Sequence, residues 1–289
     1  MNGALRVFAA EGVRLLHSRS LLLSTIGVAA IAALRVKGAQ AIEITMRNAA
    51  AQRALARGAE PPADLGPGNA FAPWAEGWVT GVTLGTLLLL VLAARTLAGD
   101  RETGLLRVSV TRSVTRGGLV LGRGLLGVPL CTGLLVVTGA ASWWAANGLF
   151  TFGPLVEHGY EILTEAELWS EASRAALATI GPLFATWCFG LLISSICRTP
   201  SVAVGAALSA WLGFDLFKQV LRDDQYWFFA AFNPSLVDGS ALNEFVGVSQ
   251  GLSDAGYSEV LYNMNLSLPV PEALLMLALA WLFTARRSL

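Results

Sequence analysis

Apolar residues in this chain are gathered into six runs that polar segments separate. A helix needs about 20 mostly apolar residues to cross the roughly 30 Å hydrocarbon core of a bilayer. Within these runs nearly every residue is apolar, whereas an amphipathic helix on the surface of a soluble domain has apolar residues on one face only. We therefore predict an all-α membrane protein with six transmembrane helices, at 21–34, 78–94, 124–146, 175–196, 201–221 and 266–285.

The first run is the shortest, and Arg35 and Lys37 follow it directly. A cleaved signal peptide is the alternative, because the small residues at 39–41 resemble a cleavage site. Two cations between the apolar core and the cleavage site are unusual in such a signal. We expect an uncleaved first helix that continues as an amphipathic rod until the prolines at 61–62 break it.

Composition agrees with a single transmembrane domain over residues 1–289, since 54% of the residues are hydrophobic and only 14% are charged. The formal net charge is zero, so the chain has no overall positive charge that would suggest nucleic-acid binding. All three cysteines lie in apolar runs, so we expect free thiols and no disulfide framework.

The positions of the charges predict the orientation, because basic residues are retained on the cytoplasmic side of a membrane. Basic residues are concentrated in 1–19, in 95–123, at Arg198 and near the C-terminal end, whereas 157–171 is acidic. We expect a multi-pass protein of the bacterial cytoplasmic membrane with both termini in the cytoplasm. Segments 35–74 and 222–267 then lie outside, although the first of them is itself basic.

Aromatic residues fit this orientation, because many of them fall at the predicted outer ends of helices, where an interfacial belt is expected. Trp187 and Trp211 lie deeper in their runs, and we predict that they are packing residues. The predicted belt consists of Trp74, Trp78, Trp143, Trp144, Trp169, Tyr226 and Trp227.

Scarce residue types argue against an enzyme. A phosphate-binding P-loop needs glycine before its lysine, but the two lysines, Lys37 and Lys218, follow Val36 and Phe217. Neither His17 nor His158 belongs to a zinc motif or lies in a predicted membrane span. We therefore predict no catalytic residues in this chain.

A cation site can be drawn with Glu157, His158 and Glu161, because carboxylates and imidazole are plausible ligands. A solvated acidic loop explains the same residues more simply. We therefore predict no metal site.

Charged residues within membrane spans mark ion or proton pathways, and the predicted spans contain very few of them. Asp215 and Lys218 form the one good candidate pair. They lie near the outer end of the fifth span, where a local ion pair with a snorkelling lysine is expected. This scarcity argues against an ion-coupled carrier.

Small residues recur every four positions in the second and fifth spans, which lets helices approach closely in lipid. Helix packing is the simplest interpretation, and a subunit interface or the lining of a polar path is the alternative. The small residues are Gly81, Gly85, Gly205, Ser209 and Gly213, and the neighbouring hydroxyls are Thr80, Thr83 and Thr86.

The connection between the second and third spans contains an acidic residue and a Gly-Leu step, followed by an Arg-Ser turn and a Gly-Arg entry into the next helix. This order resembles the type-two exporter permeases of the ATP-binding-cassette (ABC) family. Glu102, Gly104, Leu105 and Arg116 match the family pattern, whereas Arg123 replaces its usual lysine and the proline of its turn is missing.

The resemblance implies that residues 95–123 form a cytoplasmic coupling segment that docks on a separate ATPase. The docking residues it implies are Asp100, Arg101, Glu102, Gly104, Leu105, Arg112 and Arg116.

Other parts of the chain resemble the same family. Residues 1–19, with Glu11, Arg14 and Arg19, resemble its amphipathic elbow helix, which lies along the inner membrane surface. Residues 232–234 resemble the bend into its re-entrant outer segment, and the two arginines at 286–287 resemble its basic finish.

The resemblance implies a six-helix permease that dimerises with itself or a close relative and binds two cytoplasmic ATP-binding subunits. ATP and Mg²⁺ are then bound by those subunits, and this chain binds no cofactor. The long outer segments suggest an extracytoplasmic partner. A membrane scaffold or assembly factor is the main alternative, and a secondary carrier is a weaker one.

Overall fold

The structure is a computed structural model that describes residues 2–57, 69–104, 115–157, 160–235, 239–252 and 258–286. Within these ranges the chain forms nine α-helices, a short β-hairpin and two 3-10 segments. The helices are α1 (Asn2–Leu16), α2 (Arg19–Ala56), α3 (Phe71–Glu102), α4 (Arg116–Leu149), α5 (Glu165–Ile196), α6 (Pro200–Phe217), α7 (Ala241–Ser249), α8 (Glu259–Ser267) and α9 (Pro269–Arg286).

Six helical units in the described ranges are long and apolar enough to cross a membrane. They are α2, α3, α4, α5, α6 and the consecutive pair α8 and α9. Each predicted span falls on one of these units, so the prediction of six spans is confirmed and the protein is a multi-pass membrane protein. The fifth span is shorter than predicted, because α6 ends at Phe217 and a 3-10 segment (Lys218–Trp227) follows.

Helices α3, α4 and α5 form the buried centre of the bundle. Helix α2 packs on α3 and α4, α6 on α3 and α5, and α9 on α5 and α4. Glycine allows the closest approaches, as a Cβ atom added at Gly190 of α5 would lie 2.6 Å from the Cβ of Ala93 in α3. Such small-residue contacts bring helices together in lipid, where dispersion replaces the hydrophobic drive.

Helix α2 continues well beyond the apolar run that predicted it, as the rod interpretation expected. Arg35 Nη2 lies 2.8 Å from Glu76 Oε2, close to the start of α3. Helix α2 then runs on to Ala56. At about 1.5 Å per residue this extension is about 30 Å long.

A β-hairpin departs from the all-α prediction. Strand β1 (Leu155–Glu157) pairs antiparallel with β2 (Tyr160–Leu163). Leu155 and Leu163 face each other across the hairpin and pack on the bundle core. Thr164 then begins α5 with a capping box, in which its side chain accepts from the Glu167 amide while the Glu167 carboxylate accepts from the Thr164 amide.

The chain between α6 and α8 folds back against the bundle. The 3-10 segment contains Arg222 at φ 50°, a positive value that favours glycine. A second 3-10 segment (Phe229–Phe232) follows, and residues 229–235 are all buried. Helix α7 then packs on α3 and α5. The bend predicted at 232–234 therefore coincides with a buried, non-α-helical stretch.

Two tryptophans of the predicted interfacial belt are buried packing residues, so the belt prediction is wrong for them. Trp74 and Trp78 are 5% and 7% exposed, and their indole groups donate to the carbonyls of Gly139 and Leu135 in α4. Trp144 and Trp227 are 76% and 62% exposed, as belt residues would be. The prediction that Trp187 and Trp211 are packing residues is confirmed by exposures of 0% and 2%.

Candidate functional site

Most arginines at helix ends lie at one end of the bundle, which we call the arginine-rich end. Contacts between the C-terminal ends of α1, α3, α5 and α9 and the N-terminal end of α4 bring them together. The basic segments that the sequence predicts on one side of the membrane therefore meet at one end of the fold. The end carries Arg14, Arg19, Arg101, Arg116, Arg123, Arg198 and Arg286.

A buried charge cluster joins α1, α3 and α4 at this end. The Arg123 guanidinium is 2% exposed, and its Nη2 donates both to Asp100 Oδ2 and, at 2.8 Å, to Glu11 Oε1. Arg14 completes the cluster, with its Nε 3.1 Å from Glu11 Oε2 and its Nη1 4.0 Å from Asp100 Oδ1. Two acidic and two basic residues thus balance in charge at the base of the predicted coupling segment.

Two further arginines of the coupling segment donate hydrogen bonds to carbonyls at the C-terminal ends of other helices. Arg101 donates to the carbonyls of Ser195, at 3.2 Å, and Cys197 at the C-terminal end of α5. Arg116 donates to the Ala285 carbonyl at the end of α9, at 2.7 Å. These last carbonyls have no partner within their own helix, so each arginine satisfies a helix end.

The exposed part of the coupling segment begins directly after these anchors. Glu102 and Thr103 are exposed at the end of α3, and Gly104 turns the chain with φ +73°. Arg19 of the predicted elbow is also exposed, at the first position of α2. Leu105 and Arg112, both predicted docking residues, lie outside the described residues.

The predicted elbow corresponds to α1, which ends at Leu16 and packs along α4. Gly122 of α4 makes this close approach possible, since a Cβ there would lie 2.6 Å from the Ala4 carbonyl and 2.7 Å from Val7. Glu11 adds an ionic contact to this packing. Helix α1 is therefore joined to the base of the coupling segment by close packing and by an ion pair.

The small residues of the second and fifth spans differ in their surroundings. A Cβ at Gly81 would lie 2.9 Å from Ala32 of α2 and from Thr138 of α4, and one at Gly85 would clash with Leu134. The packing interpretation is therefore confirmed for α3. In α6, Gly205 and Ser209 are exposed, and a Cβ at Gly205 or Gly213 meets no atom within 4 Å in the described residues.

The predicted hydroxyl stripe is satisfied within its own helix. Thr80, Thr83 and Thr86 each donate at 2.8 Å to the carbonyl four residues earlier. A hydroxyl bonded in this way is satisfied while it is buried, and its hydrogen is not available to a polar solute. The stripe therefore supports packing and not a polar path.

The Asp215 and Lys218 pair is buried, so the expected snorkelling lysine is a wrong prediction. Lys218 Nζ lies 2.9 Å from Asp215 Oδ1 and donates to Ser235 Oγ at 2.7 Å. The side chains of Lys218 and Asp215 are 0% and 2% exposed. The folded-back stretch 229–235 covers the end of α6, and this cover keeps the ammonium group from solvent.

A second polar contact holds the same stretch on its other side. Asn233 is buried and donates from Nδ2 to Thr186 Oγ1 of α5 at 2.8 Å. The two polar residues on either side of Pro234 therefore bond to different elements, Asn233 to α5 and Ser235 to Lys218 at the end of α6. Sequence reasoning placed Asn233 in the predicted bend at 232–234 but assigned it no contact, and it missed Ser235, although two polar residues flanking a proline after an apolar span were a usable signal.

No protein-family model matches this chain, and no curated protein matches it.

Proposed function

We propose that this protein is the permease subunit of an ABC transporter, an exporter whose ATP is hydrolysed by separate cytoplasmic subunits. One observation carries the proposal: the base of the coupling segment is bonded to three other helices. Arg123, which also pairs with Asp100, reaches α1, Arg101 reaches the end of α5, and Arg116 reaches the end of α9. A docking element needs such connections in order to move a whole bundle.

Mechanically, closure of the ATP-binding subunits pushes on the exposed tip that starts at Glu102. The arginine-rich end then faces the cytoplasm, in agreement with the retention of basic residues there. Because the anchors Asp100, Arg101 and Arg116 are bonded to other helix ends, displacement of the tip moves those ends together. The exposed charge of Glu102 fixes the register of docking more than it adds affinity.

The exposed apolar residues of α1 support its proposed role as an elbow helix along the membrane surface. Its exposed Leu5, Val13 and Leu16 are 55%, 58% and 71% accessible, so an apolar side remains after packing on α4. An amphipathic helix of this kind lies in the interface between headgroups and acyl chains. The ion pair of Glu11 with Arg123 then links the coupling segment to a helix at the membrane surface.

The first experiment is a detergent pull-down of the tagged chain from its native host, with the co-purified proteins identified by mass spectrometry. The proposal expects an ABC subunit in stoichiometric amount. Recovery of the chain alone, or only with other membrane proteins, would favour a scaffold or assembly factor and would overturn the permease assignment.

A Glu102→Arg variant tests the docking surface. We expect it to reduce ATPase stimulation by the permease roughly tenfold, since reversing an interfacial charge costs about 1.4 kcal/mol or more. The measurement is ATP turnover by the co-purified subunits in proteoliposomes. Arg116 is unsuitable for this test, because its bond to Ala285 also stabilises α9.

Glu259→Arg is the matched control. Glu259 is also exposed, but it begins α8 at the opposite end of the bundle. The control should assemble and stimulate ATPase activity as the wild type does. Equal ATPase stimulation by the Glu102→Arg variant would count against docking at this tip.

We also propose that the chain dimerises through the exposed small-residue face of α6, with Gly205, Ser209 and Gly213. Gly205→Leu is expected to abolish the dimer while leaving the fold intact, because no described atom lies near its Cβ.

Gly81→Leu is expected to destabilise the monomer itself by about 1–3 kcal/mol through overpacking.

Size-exclusion chromatography with light scattering, together with thermal unfolding in detergent, distinguishes the two variants. A Gly205→Leu protein that remains dimeric would place the subunit interface elsewhere. A Gly81→Leu protein with an unchanged unfolding midpoint would contradict the packing described for α3.

A further inference from the structure

A cavity of about 430 Å³ opens at the arginine-rich end beside α3. Its other walls come from the turn between α1 and α2, from α5 and from the start of α6. Its volume falls within the range of roughly 300–1,000 Å³ that is usual for small-molecule sites. Among the residues that line it are Arg14, Leu92, Arg95, Gly99, Glu102 and Trp187.

The cavity changes in polarity along α3. Leu92 and Glu102 both line it, and ten helical residues span about 15 Å. Leu92 and the buried Trp187 make the inner end apolar, whereas Glu102 and Arg14 make the mouth charged. A cavity with a charged mouth and an apolar inner end, in a bundle of membrane helices, suits an amphiphile.

The charges in the cavity define the kind of headgroup. Arg14 and Asp100 are engaged in the buried cluster with Glu11 and Arg123. Arg95 and Glu102 have no ion-pair partner in the part of the chain that the structure describes. One positive and one negative group therefore remain available, and they complement a ligand that carries both signs.

Helix polarity adds to the positive side of the site. Ser18 and Ser20, at the start of α2, and Pro200, at the start of α6, line the same cavity. Thr199, the N-cap residue of α6, makes no side-chain capping hydrogen bond. At α2, by contrast, the Ser18 hydroxyl accepts from the Leu21 amide. The uncapped N-terminus of α6 favours a phosphate group, so it reinforces Arg95 as a place for an anionic oxygen.

We propose that this cavity binds the headgroup of a zwitterionic phospholipid with a primary amine, phosphatidylethanolamine. Its phosphate interacts with Arg95 and the N-terminus of α6, and its ammonium group with Glu102. Its glycerol and upper acyl carbons contact Leu92 and Trp187. The proposal goes beyond the permease assignment and concerns the chain before an ATP-binding subunit docks, when the exposed Glu102 is available to the ammonium group.

Gly99 provides a direct test, because an added Cβ there meets no atom within 4 Å in the described residues, so a larger side chain can extend into the space beside α3. Gly99→Leu should fill the cavity. Native mass spectrometry of the full-length chain, incubated with phosphatidylethanolamine in detergent, should show one retained lipid per wild-type chain and roughly tenfold less for Gly99→Leu.

Gly133→Leu is the matched control, since Gly133 is an exposed helical glycine of α4 that likewise has no described atom within 4 Å of its Cβ. It should retain the lipid as the wild type does. Equal retention by Gly99→Leu and Gly133→Leu would overturn the proposal. If Gly99→Leu does not fold, Arg95→Gln replaces it, because Arg95 is exposed and its loss leaves no buried charge.

Ligand choice separates a lipid from a soluble phosphate compound. The wild type should prefer phosphatidylethanolamine to phosphatidylcholine, whose quaternary amine cannot donate to Glu102, and to anionic phosphatidylglycerol. Glu102→Gln should remove that preference, and Arg95→Gln should weaken binding of all three lipids. Thermal stabilisation by glycerophosphoethanolamine equal to that by the lipid would contradict a lipid site.

Discussion

Replacing Arg123 with methionine is expected to lower the free energy of unfolding by about 3–5 kcal/mol. The substitution leaves the Glu11 and Asp100 carboxylates, which are 15% and 10% exposed, without their main partner. Arg14 remains beside both carboxylates, but its side chain is 58% exposed and it compensates them only in part. The remaining charge is costly because the interior solvates it poorly. The measurement is an unfolding titration in mixed detergent micelles, followed by circular dichroism.

Two comparisons make the Arg123 result interpretable. Arg198→Met removes an exposed arginine from the same end of the bundle and should leave the unfolding midpoint unchanged. The triple variant Glu11→Gln, Asp100→Asn, Arg123→Met removes all three charges and should recover most of the lost stability, since neutral replacements of buried ion pairs are often tolerated. An Arg123→Met protein as stable as wild type would contradict the buried cluster.

Replacing Lys218 with methionine is the second variant with a large expected effect, again about 3–5 kcal/mol of unfolding free energy. The ammonium group is the counter-ion of Asp215 and also holds Ser235, so its loss leaves a buried carboxylate and releases stretch 229–235. We expect faster hydrogen exchange in that stretch, measured by mass spectrometry in detergent.

The other lysine of the chain is a natural control. Lys37 is exposed on α2, so Lys37→Met should change neither the unfolding midpoint nor the exchange of 229–235. The double variant Asp215→Asn, Lys218→Met should regain stability but not the protection of Ser235 and its neighbours. Normal protection of 229–235 in the single Lys218→Met variant would show that the lysine does not hold this stretch.

The six spans could be predicted because hydrophobic length is a property of a single segment and needs no knowledge of its neighbours. The face that a residue presents does depend on its neighbours. Trp74 and Trp78 were correctly placed near a helix end, yet they point into α4 and not toward the membrane interface. Gly81 and Gly205 look alike in sequence, but only Gly81 meets another helix in the described chain.

The arrangement of the candidate site was predictable only in part. The coupling segment was found from its own residues, but its anchors join residues far apart along the chain, as Arg101 and Ser195 do. Lys218 was misjudged for the same reason, because the stretch that covers it begins about ten residues later and folds back. A sequence pattern records which residues are charged, whereas burial is decided by distant segments.

The projecting half of α2 has a mechanical consequence. Helix α2 lies beside α3 at the contact of Arg35 with Glu76 and continues for about 30 Å beyond that contact, whereas α3 begins at Phe71, only about 8 Å from it. The length of this extension amplifies small rotations. A tilt of α2 by about 10° at the Arg35 contact displaces its end at Ala56 by about 5 Å. A protein bound at that end would therefore be moved by several ångströms when the bundle rotates slightly.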